Sequence, residues 1–468
     1  MIADAGSTSD AGTTDAGSGA VADAGSTSDA GTTDAGSGTD GGPTSDGGPA
    51  AAIESVPCPA DPKVLWSRTF TDEVDFRGVA GDDGSLYWIE YDPPPTFLDP
   101  AAPAWVASAD ADGHDRFRVK TTLTYPVDAH LIAAGMLVVA KGAIVAAFDA
   151  ASGAPSWSLD LSRTYTDGYA QSQGIADLGE GKIALAMYDY NVASGLYVVD
   201  AAKGAILWST VGSADTGYHV QGSDGAGDAL ATANYTSSYS PEQGYHNAQD
   251  VFAVDSSGHE LWRHHIVDGG ALLAWPAGAP WIVVPGGSSA TDYVQVPGSW
   301  FAAVSGGELG FAVQFGAAAA SPNVLEVVRD GVVVASGAMQ GTNPYDGTAV
   351  FPFLAGDRGD HAVLVAQRWP SNPGLCHPAR AAEAAIHRFD SSSSWTCPFS
   401  FEGESGIVGA ALLPGRIVLG RRTFLTDACT HEVQPVTLEA YALPGESLAP
   451  VGWVQRGGSP GMGLRQRR

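Results

Sequence analysis

From residue 63 onward the chain is a succession of short apolar runs of strand length separated by turn residues. Four times such a run ends in an Asp, followed by a Gly and then by an aromatic on the fourth position past that Gly. The four are Asp110-Gly113-Phe117, Asp149-Gly153-Trp157, Asp200-Gly204-Trp208 and Asp255-Gly258-Trp262. Each unit reads as two strands, a third ending at the Asp, a tight turn, and a fourth strand carrying the aromatic. In 143–161 (AIVAAFDAASGAPSWSLDL) the turn falls at Ala150 to Gly153. Gly suits a turn with positive φ, the Asp can cap the turn's free N–H groups, and the aromatic can fill space between adjacent sheets.

Weaker copies at 324–336, 385–399 and 438–454 bring the hairpins to seven, with markers at Asp110, Asp149, Asp200, Asp255, Asp330, Asp390 and Leu443. This period fits a four-stranded propeller blade, which must stack on neighbours because one small sheet cannot bury both its faces. The expected fold is all-β: a seven-bladed β-propeller of four-stranded antiparallel blades over 63–455, with eight blades as the alternative. The alternative arises between Asp255 and Asp330, where residues 271–287 hold two further strands without an obvious second hairpin. A ring must also close. Residues 63–70 carry Trp66 like the outer strand of a unit but lack the strands that should precede it, so they are expected to complete the sheet built from 406–442. The apolar window 130–148 is broken by Gly135 and Lys141-Gly142 and reads as consecutive strands, not a membrane span.

Composition separates the ends from this pattern. Residues 1–62 hold ten carboxylates, no Lys or Arg and almost no large apolar side chain, and residues 3–19 recur unchanged at 22–38. Such a tract buries too little apolar surface to offset the entropy of ordering it, and is expected to be a disordered, self-repelling tether. Residues 456–468 are expected to be a disordered tail. The net charge is −29, and 42 acids against 23 bases remain beyond the tether. That field disfavours nucleic acid and anionic membrane surfaces as partners. Met1-Ile2 leads into the tether with neither a basic nor an apolar leader segment. Taken literally this means cytoplasm, but such a tract suits a spacer between a membrane-proximal anchor and an exported domain. An export signal upstream is therefore expected, and with it a periplasmic or extracellular, cell-envelope location.

The units 147–157 (AFDAASGAPSW), 198–208 (VVDAAKGAILW) and 253–262 (AVDSSGHELW) resemble the tryptophan-docking repeat of quinoprotein-type propellers, the PQQ-like repeat family. The resemblance covers most of 63–455 and is strong in three or four units. It implies one of two things: a dehydrogenase carrying pyrroloquinoline quinone and calcium, or a scaffold resembling the outer-membrane assembly lipoprotein of this fold. The enzymes typically carry adjacent cysteines beside the quinone, whereas here no two cysteines are closer than 21 residues. The expectation is therefore a non-enzymatic, monomeric, exported or surface-tethered platform for a protein or glycan partner, without a cofactor. A periplasmic quinone-dependent dehydrogenase is the alternative.

The remaining candidates are few. Asp110, Asp112 and Asp115 could ligate calcium, with hard oxygens around a Gly turn, but they also occupy an ordinary blade turn. His219, His246, His259, His264 and His265 fall in one unit without metal-ligand spacing. Cys58, Cys376, Cys397 and Cys429 are even in number without CxxC and are expected to form disulfides, Cys376 with Cys397 on one rim of a blade and Cys58 with Cys429. The polar insertion 234–247 carries Tyr235, Tyr239 and Tyr245, and long loops on a rigid ring are where binding is expected.

Overall fold

The computed structural model describes residues 50–455, apart from internal stretches of which 93–101, 284–293, 369–383 and 424–434 are the longest, together with residues 464–467. Among these residues every regular element is a strand, and seven four-stranded antiparallel sheets succeed one another along the chain. Blade 1 is Glu73–Ala80, Leu86–Tyr91, Pro103–Ala109 and Asp115–Thr124, and blade 2 is Ala129–Ala133, Met136–Lys141, Ile144–Asp149 and Pro155–Asp160. Blade 3 is Gln171–Gly179, Lys182–Asp189, Ala193–Asp200 and Ile206–Ser213, and blade 4 is Tyr218–Ser223, Ala229–Asn234, Ala248–Val254 and Glu260–Val267. Blade 5 is Ser299–Val304, Leu309–Gln314, Val324–Arg329 and Val332–Ala338, and blade 6 is Thr348–Ala355, His361–Arg368, Ala384–Phe389 and Ser393–Phe399. Blade 7 joins Ser405–Leu413, Arg416–Thr423 and Val436–Ala442 to Val64–Phe70, which pairs antiparallel with Val436–Ala442. The first strand of the ring is thus the outer strand of its last sheet.

The fold is the seven-bladed propeller, not the eight-bladed alternative. The surplus strands between blades 4 and 5 form a small sheet of their own, Ala271–Ala274, Trp281–Val283 and Val294–Gln295, which accounts for the long interval there. The apolar window resolves into Ala129–Ala133, Met136–Lys141 and Ile144–Asp149, turning at the two expected breaks. No helix among the described residues is long and apolar enough to cross a membrane.

Inner strands are nearly all apolar because both their faces are covered. Leu86–Tyr91 is buried at every position, whereas no position of the outer strand Ile206–Ser213 is fully buried. The core is accordingly a series of seams between neighbouring sheets. Phe76, Trp88, Leu413 and Leu438 pack blade 7 on blade 1, Ile89, Val106, Leu137 and Phe148 pack blade 1 on blade 2, and Leu325, Leu364 and Phe389 pack blade 5 on blade 6. Each fully buried side chain of this kind contributes about 1.5–3 kcal/mol. The first strands of neighbouring blades pack together, except between blades 4 and 5 where the C-terminal strands intervene, so they form the inner wall of the ring.

Both ends differ from expectation. The chain joins the ring before residue 62: Ala51–Ala52 pairs in parallel with the outer strand of blade 5 and Glu54–Ser55 with that of blade 6. After the last blade, Gly452–Gln455 touches the first strands of blades 5 and 6, and Leu464–Arg467 pairs with both Gly452–Gln455 and the first strand of blade 4. The tail expected to be disordered from 456 therefore includes a paired strand. Residues 1–49 lie outside the described residues.

Candidate functional site

The conspicuous Asp, Gly and aromatic residues are spent on the ring. Asp149 Oδ1 accepts the N–H groups of Ala151 and Ser152 and the Ser152 hydroxyl, and Asp200 Oδ1 accepts the N–H groups of Ala202 and Lys203. The Ser152 hydroxyl and N–H hold Asp149 below the ordinary carboxylate range. The aromatic that follows docks on the next blade's turn. Trp157 Nε1 donates to Ala201 O at 2.8 Å while its ring covers Gly204, and Trp66 Nε1 donates to Ala111 O at 3.0 Å while its ring covers Gly113. Phe117 and Trp208 cover Gly153 and Gly258 in the same way.

Chemistry not used by this pattern gathers on the inner wall at blades 1 to 3. Alternation along 73–77 sends Val74 and Phe76 into the seam with blade 7 and leaves Glu73, Asp75 and Arg77 for the other face. Arg77 Nε donates to both Asp75 oxygens at 2.9 Å, and its Nη1 and Nη2 donate to Asp128 O and Val127 O at 2.6 and 3.1 Å. Asp128 in turn accepts the N–H groups of Gly142 and Ser172, so one arginine and one aspartate tie three blades. Burial pushes the Asp75 carboxyl up, but the Arg77 charge and paired hydrogen bonds outweigh it and hold it below the usual range.

Beside this pair lies His130, fully enclosed, with neither ring nitrogen hydrogen-bonded. Burial lowers its pKa to about 4, so the ring is neutral at pH 7. Ser172 Oγ and Arg422 Nε are likewise buried without a partner, although Arg422 Nη2 donates to Glu73 Oε1 at 2.7 Å. Buried polar groups in native proteins are almost always satisfied, by protein, water or ligand. The inner wall at blades 1 and 2 thus carries a buried ion pair beside a neutral imidazole. Sequence reasoning missed it because Asp75 and His130 lie in different repeats. The only local signal is charge at alternate positions of an otherwise apolar strand.

A second buried cluster sits where blade 6 meets the turn after Val436–Ala442. His361 Nδ1 lies 2.6 Å from Asp360 Oδ1 and its Nε2 lies 2.5 Å from Glu446 Oε2, while Arg388 Nε stands 3.3 Å from Glu446 Oε1. Burial lowers the imidazole pKa, but the hydrogen bonds to Glu446 and Asp360 overcome that and raise it. The cluster ties two blades and offers no nucleophile.

The expected site residues are placed as follows. Asp110 caps its own turn through the N–H groups of Asp112 and His114, Asp112 Oδ1 accepts from Arg416 at 2.7 Å, and Asp115 pairs with Arg68. The three carboxylates thus turn to three different partners, and no group of metal-ligating side chains gathers among the described residues. His265 Nδ1 is 2.8 Å from Asp250 Oδ1, the His264 ring lies against Trp262, and His259 faces Asp255 in its turn, so these three turn to different partners; the side chain of His246 lies outside the described residues.

The insertion in blade 4 is a two-stranded ribbon, Ser238–Ser240 with Gly244–His246, in which Tyr239 stands opposite Tyr245. Tyr235 lies outside the described residues. The cysteine pairing is corrected: Cys397 bonds Cys58, with Cα atoms 5.2 Å apart, not Cys376. The expectation failed because it treated 51–58 as tether, whereas the parallel pairing of Glu54–Ser55 with Ser393–Ser394 carries Cys58 to Cys397. Cys376 and Cys429 lie outside the described residues.

No family model matches the chain, and no curated protein matches it. Among solved structures it is similar to a quinohemoprotein alcohol dehydrogenase of Pseudomonas putida HK5 (11% identity, TM-score 0.38, 84% of this chain and 78% of that one). It is similar also to BamB of Moraxella catarrhalis (11%, TM-score 0.31, 81% and 98%) and to the β-propeller domain of the Trilobed protease of Pyrococcus furiosus (9%, TM-score 0.41, 81% and 97%). Likeness at this level bears on neither activity nor ligand.

Proposed function

We propose that this protein is a non-enzymatic binding platform, exported or tethered at the cell surface, that holds a protein or glycan partner. The observation that carries the reading is the ribbon inserted in blade 4, where Tyr239 and Tyr245 are register partners on a short antiparallel pair. Tyrosines offer large contact area at low entropic cost, and insertions on a propeller ring are where binding function is usually placed. Export is supported by the Cys58–Cys397 bond, since structural disulfides persist in oxidising compartments. It is supported also by the acidic, base-free sequence that precedes Cys58, which suits a spacer from a surface.

The test is site-specific photo-crosslinking in the native envelope, with the reactive group placed at Tyr239 and, as control, at Val192, which is exposed on blade 3. Adducts are expected at 239 and not at 192, their mass separating protein from glycan, and Tyr245→Ala should abolish them. Equal or absent labelling at the two positions would overturn the reading. So would a redox absorbance change on adding pyrroloquinoline quinone with calcium to the purified protein.

A further inference from the structure

Outer strands of the blades carry an aromatic at one fixed register position. Trp66, Phe117, Trp157, Trp208 and Trp262 each stand just past a bulge in their strand pair, opposite Ala440, Ser108, Ala147, Val198 and Ala253. In blade 5 the same position, opposite Val327 and just past the bulge, is Ala335. The seam between blades 5 and 6 should therefore lack its docking side chain. It does not. Ile53, only 7% exposed, enters that seam beside Ala335, against Phe311, Leu325, Leu364 and Phe389. Gly337 makes the room, since a Cβ there would stand 2.8 Å from the Ile53 Cβ.

The polar half of docking is reproduced too. Elsewhere an indole N–H donates to a carbonyl in the next blade's turn, as Trp157 does to Ala201. Here the Glu54 backbone N–H donates to Ser392 O at 2.9 Å, in the turn capped by Asp390 on blade 6. Ile53 N and Val56 N donate to Ser336 O and Ser394 O at 2.8 Å each, one on either blade, and Cys58 then bonds Cys397.

We propose that the seam between blades 5 and 6 is a binding slot for an extended segment, and that residues 51–56 are its resident occupant, supplying from outside the blade the docking contact that Ala335 cannot make. The occupant is recognised by main-chain pairing on both edges and by one β-branched side chain over a glycine, the logic of strand addition to a sheet edge.

A double-mutant cycle in the full oxidised chain tests this, read as thermal midpoints. Ile53→Ala should lower the midpoint well beyond Val332→Ala, an exposed position on the same outer strand. Ala335→Trp should lower it in the parent, where Ile53 fills the space, yet raise it in an Ile53→Gly background, where the indole takes over. Additive effects with no change of sign would overturn the proposal. Should Ala335→Trp fail to fold, hydrogen exchange on Ile53→Asp decides. Faster exchange in strands 324–329 and 384–389, with blades 1 to 3 unchanged, supports the slot; loss of protection confined to Ile53, Glu54 and Val56 refutes it.

Discussion

Replacing Gly204 by Ala tests what holds one blade to the next. Gly204 has φ +71°, and a Cβ placed on it would lie 2.5 Å from Cδ2 and Cε3 of Trp157. Two costs combine. A left-handed backbone with a Cβ is worth roughly 1–2 kcal/mol. Displacing the indole forfeits its hydrogen bond to Ala201 O, about 1 kcal/mol, and part of the ring's burial, about another 1. The sum is about 3–4 kcal/mol. Gly135 supplies the control, because it has nearly the same φ, +73°, but a Cβ there meets nothing within 4 Å. Gly135→Ala should cost only the backbone share, about 1–2 kcal/mol. Equilibrium urea denaturation followed by tryptophan fluorescence and far-ultraviolet dichroism reads the difference. In a Trp157→Ala background the obstruction is gone, and Gly204→Ala should fall to the Gly135→Ala cost. Equal losses for the two glycines in the parent protein would refute the assignment of Trp157 as a docking residue.

Three further outcomes are expected. His130 and His387 have pKa values lowered by burial to about 4 and about 3, so between pH 6.5 and those values the unfolded chain binds protons that the folded ring refuses. Stability should therefore fall as pH drops through that window, by about 3 kcal/mol for His130 in full, and His130→Leu should flatten the slope in a pH series of melting curves. His361 has the opposite sign: its folded pKa is raised, so its contribution is complete below pH 6.5 and is lost as pH climbs through the folded value, a loss that His361→Gln removes. Non-reducing peptide mapping should recover a Cys58–Cys397 link, and Cys58→Ser should cost up to about 5 kcal/mol in denaturation of the oxidised protein; a Cys376–Cys397 link would contradict the pairing of Glu54–Ser55 with Ser393–Ser394.

Much of the architecture was legible because repetition makes each blade a copy of one local solution. Asp149, Gly153 and Trp157 solve a turn and a seam within nine residues, and three neighbouring units repeat that solution with small changes. The closing strand was legible for a related reason: Trp66 marks an outer strand, and no hairpin partner precedes it. The segment 51–56, a strap along the outer strands of blades 5 and 6, was not legible. Ala51, Ala52 and Ser55 have no bulk and no period, and only the missing aromatic at Ala335 hints that a seam needs help from elsewhere. With the strap unseen, the partner of Cys397 was assigned to the nearer Cys376. Inner-wall chemistry escaped for a different reason, since Asp75, Asp128 and His130 come together only when blade 1 packs on blade 2, Arg422 reaches Glu73 only when the ring closes, and the four belong to no common motif. Tyr239 and Tyr245 were legible as an insertion, though not as register partners.

The way the ring closes sets an order on its birth. Thr69 meets Thr437 across 368 positions of sequence, so the earliest blade strand to leave the ribosome is the last to find its place. At about 5–20 residues per second it waits roughly 20–70 s. Throughout that interval a nascent chain carries a bare β-edge with Val64 and Leu65, a template on which sister chains can pair. The eight aspartates of residues 1–49, with no Lys or Arg among them, give neighbouring copies of that segment like charge, which opposes such pairing.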